Sequence, residues 1–212
     1  MIDYTINVCL LGNSGVGKSS LVMQLLNNYP LNYNSITTTI GVDYFTKIFK
    51  VNKKVIKWNI YDTAGMEKFN SIVSTYFRIG TIFLLGFDLT NLESFIELEK
   101  WIKLINSNSQ NYYKIYLFGN KCDLKKNIKI SNEHIDDFCS KYNLKYFNIS
   151  IKKRNNIDEM VEFINNDIAN YILDKDISYE IKKNKKVKFH DYNTNSNFRL
   201  FNLNLNNNGK CC

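Results

Sequence analysis

The sequence is poor in the residues and runs that mark several protein classes. Pro30 is the only proline among 212 residues, while asparagine is over-used, at 32; we attribute both to coding bias and give them no functional weight. No apolar run reaches the roughly 18 residues that a membrane span requires. The opening MIDYTINVCLLGNSG lacks a basic segment followed by an apolar run and a cleavage site, so no secretory signal is expected. There are five cysteines: Cys9, Cys122 and Cys139 stand singly, and Cys211 and Cys212 are adjacent. No CxxC or His-rich spacing points to zinc, and an odd count fits no disulfide framework. No internal repeat is visible. The expectation is a reduced, cytosolic chain.

Acidic residues are the minority charge, 20 against 28 Lys and Arg, for a formal net charge of +8. That balance is basic enough to suggest nucleic acid or an anionic membrane. Eight basic and four acidic residues follow Leu173, so half of the excess belongs to the tail. This favours a basic arm over a basic binding face, and no nucleic-acid partner is expected. A hydrophobic share of 44% is ample for a packed core, and the length fits one sizeable domain with a tail, or two small domains.

Strand-like and helix-like patterns alternate. Apolar strands are expected at 5–12, 81–89 and 112–120, a hairpin of strands at 42–51 and 54–62 around Asn52-Lys53, and a short strand at 144–150. Helical spacing covers 18–28, 91–106, 131–143 and 157–173. Such alternation predicts an α/β domain with a six-stranded, mostly parallel sheet covered by helices on both faces. From about residue 174 the apolar periodicity fades, and NTNSNFRLFNLNLNNNGK (193–210) reads as a flexible polar linker. The expected division is a domain at 1–173 and a tail at 174–212.

GNSGVGKS (12–19) fits G-x-x-x-x-G-K-[ST] between the first strand and the first helix, the context that gives this motif its meaning. Gly12, Gly15 and Gly17 let the main chain wrap closely, so that N–H groups of the loop, from Asn13, Ser14 and Val16 onward to Ser20, converge on phosphate oxygens. Lys18 supplies charge to the β and γ phosphates and Ser19 a hydroxyl to Mg²⁺. The base follows from FGNKCD (118–123). The carboxylate of Asp123 can accept from N1–H and the exocyclic amine of guanine, Asn120 reads the carbonyl side, and the Lys121 stem can lie along the base. Adenine offers no such donor pair, and sites of that design discriminate by roughly 10⁴–10⁵.

With GNSGVGKSS, TTIGVDYF, DTAG, EKF, YFRIG and GNKCD in order, the sequence resembles the Ras superfamily of small GTPases and, within it, the Rab family. The resemblance covers about residues 5–173, and the terminal Cys-Cys extends it. It implies a P-loop GTPase fold and a switch that cycles between GDP and GTP to regulate vesicle traffic. Thr39 would coordinate Mg²⁺ and touch the γ phosphate, Asp62 would hold Mg²⁺ through water, and the Gly65 N–H would meet the γ phosphate; loss of that phosphate releases both loops. Ser150, Ile151 and Lys152 match the loop that caps guanine, with Ile151 standing where the family has a small residue. Tyr29 and Tyr33 both qualify as the aromatic that stacks on the base, with Tyr29 marginally preferred. Tyr44, Tyr61 and Tyr76 match the aromatic triad that Rab effectors read; Trp58, three residues from Tyr61 along a strand, faces the other side of the sheet, and it and Phe45 are expected in the core.

DTAGMEKF (62–69) departs from the family at its centre. A glutamine whose amide orients the attacking water stands there in relatives, and Met66 cannot do this. Slow intrinsic hydrolysis is expected, with a partner completing the site in trans or, alternatively, with the protein acting as a GTP-locked scaffold that recruits effectors. The terminal GKCC resembles the double-cysteine end that Rab proteins prenylate, giving Cys211 and Cys212 the role of lipid anchor, and KKNKKVK (182–188) adds attraction to an anionic surface. The resemblance further implies an exchange factor, an activating protein, a GDP-dissociation inhibitor or escort protein, a monomer, and residence on the cytoplasmic face of an endomembrane in exchange with cytosol.

Overall fold

The computed structural model describes residues 1–26, 41–51, 54–63, 70–109 and 113–174. Within them lie strands β1 (Tyr4–Leu11), β2 (Val42–Val51), β3 (Lys54–Thr63), β4 (Ile82–Asp88), β5 (Lys114–Asn120) and β6 (Lys145–Asn148). Helices are α1 (Lys18–Leu26), α2 (Asn70–Ile79), α3 (Leu92–Ile96), α4 (Leu98–Asn108), α5 (Asn132–Tyr142) and α6 (Ile157–Asp174). The expected hairpin turn at Asn52-Lys53 lies outside the described residues.

The strands form one sheet in the order β2-β3-β1-β4-β5-β6. β2 runs antiparallel to β3, and the other four pairings are parallel. From residue 8 to residue 11 β1 is apolar without a break because both its faces are covered there, as parallel sheets require. Val8 and Leu10 point to one core with Trp58, Ile60, Leu21 and Val22 of α1, and Met160 and Ile164 of α6. Cys9 and Leu11 point to the other, with Phe77 of α2, Trp101 and Ile105 of α4, and Phe138 of α5. Cys9 is fully buried, and its thiol donates to the Tyr76 carbonyl. Burial also holds its pKa far above the ordinary thiol range, so this cysteine is core and not a reactive group.

Two helical elements differ from the sequence reading, and the strand expected over 144–150 is shorter, Lys145–Asn148. The helix expected over 91–106 is two pieces joined at Glu97, which keeps α-region dihedrals, so the axis is tightened and not broken. Asn91 caps its start by accepting from the Glu93 N–H. The helix α2 was not expected at all; its β-branched residues Ile72, Val73 and Thr75 give it little helical propensity. Among the described residues, no helix is long and apolar enough to cross a membrane.

β1 has β3 on one side and β4 on the other, so the chain leaves it in opposite directions. A crevice at the carboxyl ends of the strands is the geometric consequence. The register brings the ends together: Leu10 faces Asp62, Leu11 faces Leu85, Asp88 faces Asn120, and Gly119 faces Asn148.

Candidate nucleotide-binding site

The loop that follows β1 turns so tightly that side chains are excluded at two points. Gly12 has φ +128°, and a Cβ there would lie 2.2 Å from the Gly86 carbonyl oxygen. Gly17 has φ +106°, and its Cβ would lie 2.5 Å from the Asn120 amide nitrogen. Only glycine tolerates both the dihedral and the approach. Between them Ser14 and Gly15 are exposed and Val16 is buried, so the loop presents main chain at its rim. Lys18, 5% exposed, folds back over it, its ammonium donating to the carbonyls of Gly12 (2.6 Å) and Asn13 (2.9 Å). Ser19 and Ser20 open α1, whose N-terminal N–H groups face the crevice as the strand–loop–helix order dictates.

Asp62, the penultimate residue of β3, is 1% exposed, yet its Oδ1 finds no hydrogen-bond partner among the described residues. Burial raises its pKa, opposed by a hydrogen bond from the Ser19 hydroxyl and by the Lys18 charge. A buried carboxylate with an orphaned oxygen beside a serine hydroxyl and a lysine suits a hard cation such as Mg²⁺, which takes oxygen ligands and keeps several waters.

At the other end of the crevice, β5 delivers Asn120, 4% exposed. Its amide donates to the Val16 carbonyl at 2.8 Å and accepts from the Ile151 N–H at 3.1 Å. One side chain thus ties the loop after β1 to the loop after β6. Lys121 adopts a left-handed backbone (φ 68°) and pairs at 2.6 Å with Asp88 at the end of β4. Asp123 accepts from the Ser150 hydroxyl at 2.6 Å, which leaves its other oxygen for a ligand. Ile151 is 2% exposed, its terminal carbon against Gly17; the bulkier side chain is absorbed by the core while its N–H stays on Asn120. Lys152 is exposed beside it. Thr39, Gly65, Met66, Tyr29 and Tyr33 lie outside the described residues, as do Cys211 and Cys212.

The three tyrosines of the expected effector face form a continuous stack. Tyr44 and Tyr61 are cross-strand partners with ring centroids 5.3 Å apart, and Tyr61 lies 5.2 Å from Tyr76 on α2. Tyr44 is 54% exposed and donates to the Asn59 side chain. Trp58 is fully buried on the opposite side of the sheet, donating at 2.9 Å to Asn165 of α6. The core role expected for Trp58 holds, and Phe45 packs partly buried against the same core.

Four residues that shape the site went unread in the sequence. Asp88 accepts from both the N–H and the hydroxyl of Thr90 while pairing with Lys121; the strand-end DLT was its signal, through the habit of Asp to cap its own turn. Glu97 and Trp101 grip Asn13, the carboxylate accepting from its amide at 2.7 Å and the indole donating to it at 3.1 Å. Arg154 joins the loop after β6 to α1. Nothing in the local pattern marks these partners, which are 84 or more residues from the groups they hold.

A mostly parallel sheet with a glycine-rich loop at its switch point, a buried lysine and an acidic strand end defines a P-loop nucleotide-binding protein. The Ras family model matches residues 7–170. Ras-related protein Rab-11B of Dictyostelium discoideum is 36% identical over 197 residues, 92% of this chain and 83% of the relative. Rab-13 of Bos taurus is 31% identical over 193 residues, 91% and 92% of the two chains. SEC4 of Candida albicans is 32% identical over 180 residues, 84% and 82%. The chain therefore belongs to the Ras family, as a Rab small GTPase: a GTP hydrolase of vesicle traffic.

Proposed function

We propose that the chain is a GDP/GTP switch whose nucleotide sits across the crevice, with Mg²⁺ at the phosphate end and guanine at the end of β5. The main chain of 12–20 would cradle the phosphates and Lys18 would neutralise them. Ser19, Thr39 and Asp62 would hold Mg²⁺, which supplies charge compensation to the phosphates when bound. Asn120, Lys121, Asp123 and the loop 150–152 would enclose the base, with Tyr29 stacking on it, and Gly65 would sense the γ phosphate. The observation that carries this reading is the pair of hydrogen bonds by which Asn120 holds Val16 and Ile151 together. Binding of guanosine and adenosine triphosphates to magnesium-loaded protein tests it: strong preference for guanosine is expected, and equal affinity overturns it.

Hydrolysis by this chain is intrinsically slow, because the Met66 thioether can neither donate to nor accept firmly from the attacking water. A positioned group of this kind contributes roughly a hundred-fold or more in favourable cases, so Met66→Gln should raise single-turnover hydrolysis by about ten-fold or more; equal rates refute this role for the position. An activating protein that brings its own arginine and glutamine completes the site. The second reading, a GTP-locked scaffold, rests on the same methionine and is selected if no such partner accelerates turnover.

Tyr44, Tyr61 and Tyr76 present the face to effectors. Prenyl groups on Cys211 and Cys212 hold the protein at the cytoplasmic side of an endomembrane, two chains giving stable anchorage where one gives marginal binding. An exchange factor and a GDP-dissociation inhibitor or escort protein serve the cycle. Deleting Cys211 and Cys212 should move the protein from membrane to cytosol, and unchanged fractionation removes the lipid anchor from this account.

A further inference from the structure

The loop after β6 closes on itself and is then fastened to a helix 130 residues earlier in the chain. Ser150 and Asn155 exchange backbone hydrogen bonds, at 3.2 and 3.0 Å. Arg154, between them, holds φ +57°, a conformation costly for any residue with a Cβ. Such an outlier persists only where its surroundings impose it. What surrounds it is Gln24, in the last turn of α1. The Arg154 Nη1 donates to the Gln24 carbonyl at 2.9 Å and to its side-chain oxygen at 3.0 Å. Gln24 is itself 2% exposed, and its amide donates back to the Ile151 carbonyl at 3.3 Å. The guanidinium also meets Asp158 one turn on, at 2.8 Å, but that carboxylate is 76% exposed.

Ile151 is thereby held from both sides of its peptide: its N–H by Asn120 and its carbonyl by Gln24. α1 begins at Lys18 and Ser19 and ends at the Gln24 contact, so one helix carries the phosphate end at its start and the base loop at its finish. We propose that Arg154 is a positioning residue that latches the base loop to α1 and so slows release of the guanine nucleotide. The latch acts through main chain and Gln24 and does not touch the ligand. It rests on the reading of residues 150–152 as the base loop. A lysine at 154 would keep the charge but lose the planar fork that spans Gln24 and Asp158.

Release of a fluorescent GDP analogue from magnesium-loaded full-length protein tests the latch. Arg154→Ala should speed release by about ten-fold or more, the range for losing hydrogen bonds to a charged group. Arg154→Lys should fall between it and the wild type. Asp158→Asn, which loses only an exposed pair, should stay within about two-fold. In a double-mutant cycle, Arg154→Ala placed on Gln24→Ala should add less than it does alone, because the bond to the Gln24 side-chain oxygen is already gone while the one to its carbonyl remains; general loosening of the fold does not produce that coupling. Wild-type release by Arg154→Ala, or simple additivity with Gln24→Ala, overturns the latch. If the wild type does not prefer guanosine to adenosine nucleotide, the base-loop reading fails; if it does and Arg154→Ala releases normally, the latch alone fails.

Discussion

At the phosphate end of the crevice the working surface is mostly main chain, while at the base end it is mostly side chain. Residues 12–17 offer peptide groups that any sequence possesses, laid open by the absence of Cβ atoms at Gly12 and Gly17, and Lys18 and Ser19 add a charge and a hydroxyl beside Asp62. Residues 120–154 offer an amide, a carboxylate, a hydroxyl and a guanidinium, each oriented by another group. On the proposed reading the first construction would bind any polyphosphate and tolerate nothing added, and the second would select one base and could be tuned in steps. Asn120 belongs to both, because its amide lies where a Gly17 side chain would go.

The strongest way to break this contrast is to add atoms at the phosphate end. Gly17→Val places a branched side chain at φ +106° and onto Asn120; strain and overlap together should weaken nucleotide binding by roughly a thousand-fold or more, measured by titration. Asp123→Ala deletes chemistry at the base end instead. Triphosphate binding should survive weakened, while the preference for guanosine, roughly 10⁴–10⁵-fold in sites of this design, collapses. Chelation of Mg²⁺ addresses the phosphate end alone: release should quicken in the wild type and be insensitive to chelator in Asp62→Asn, whose amide carries no charge for the metal. Smallest is a change outside both ends. Trp58→Phe leaves Asn165 buried without its donor, costing about 1–3 kcal/mol in denaturant unfolding, with nucleotide preference unaltered.

The two ends were also unequally legible in the sequence. The phosphate loop is eight consecutive residues whose chemistry is local, so its position between strand and helix could be read directly. The alternation of strands with helices likewise gave the sheet, because apolar runs covered on both faces have no other home. The strand expected over 144–150 stops at Asn148, since Ser150 turns to pair with Asn155. Helix α2 was missed because its β-branched residues argue against a helix until tertiary packing of Phe77 overrides them. Gln24, Glu97, Trp101 and Arg154 were illegible for a different reason: each acts on a group remote along the chain, and periodicity carries no information about such pairs; Asp88 had a local signal in its strand-end turn that went unread. Ile151 stood out as a departure from the family, and its place in the buried core, close to where a Gly17 side chain would go, is something only the fold reveals.

Both of the chain's tryptophans are buried, but against different elements: one indole donates to Asn165 of α6, and the other to Asn13 in the glycine-rich loop. The molecule therefore carries its own optical gauge. A shift in native emission on loading or emptying is expected from Trp101, and a Trp58→Phe protein would report the state of the loop from that one tryptophan, without an attached dye.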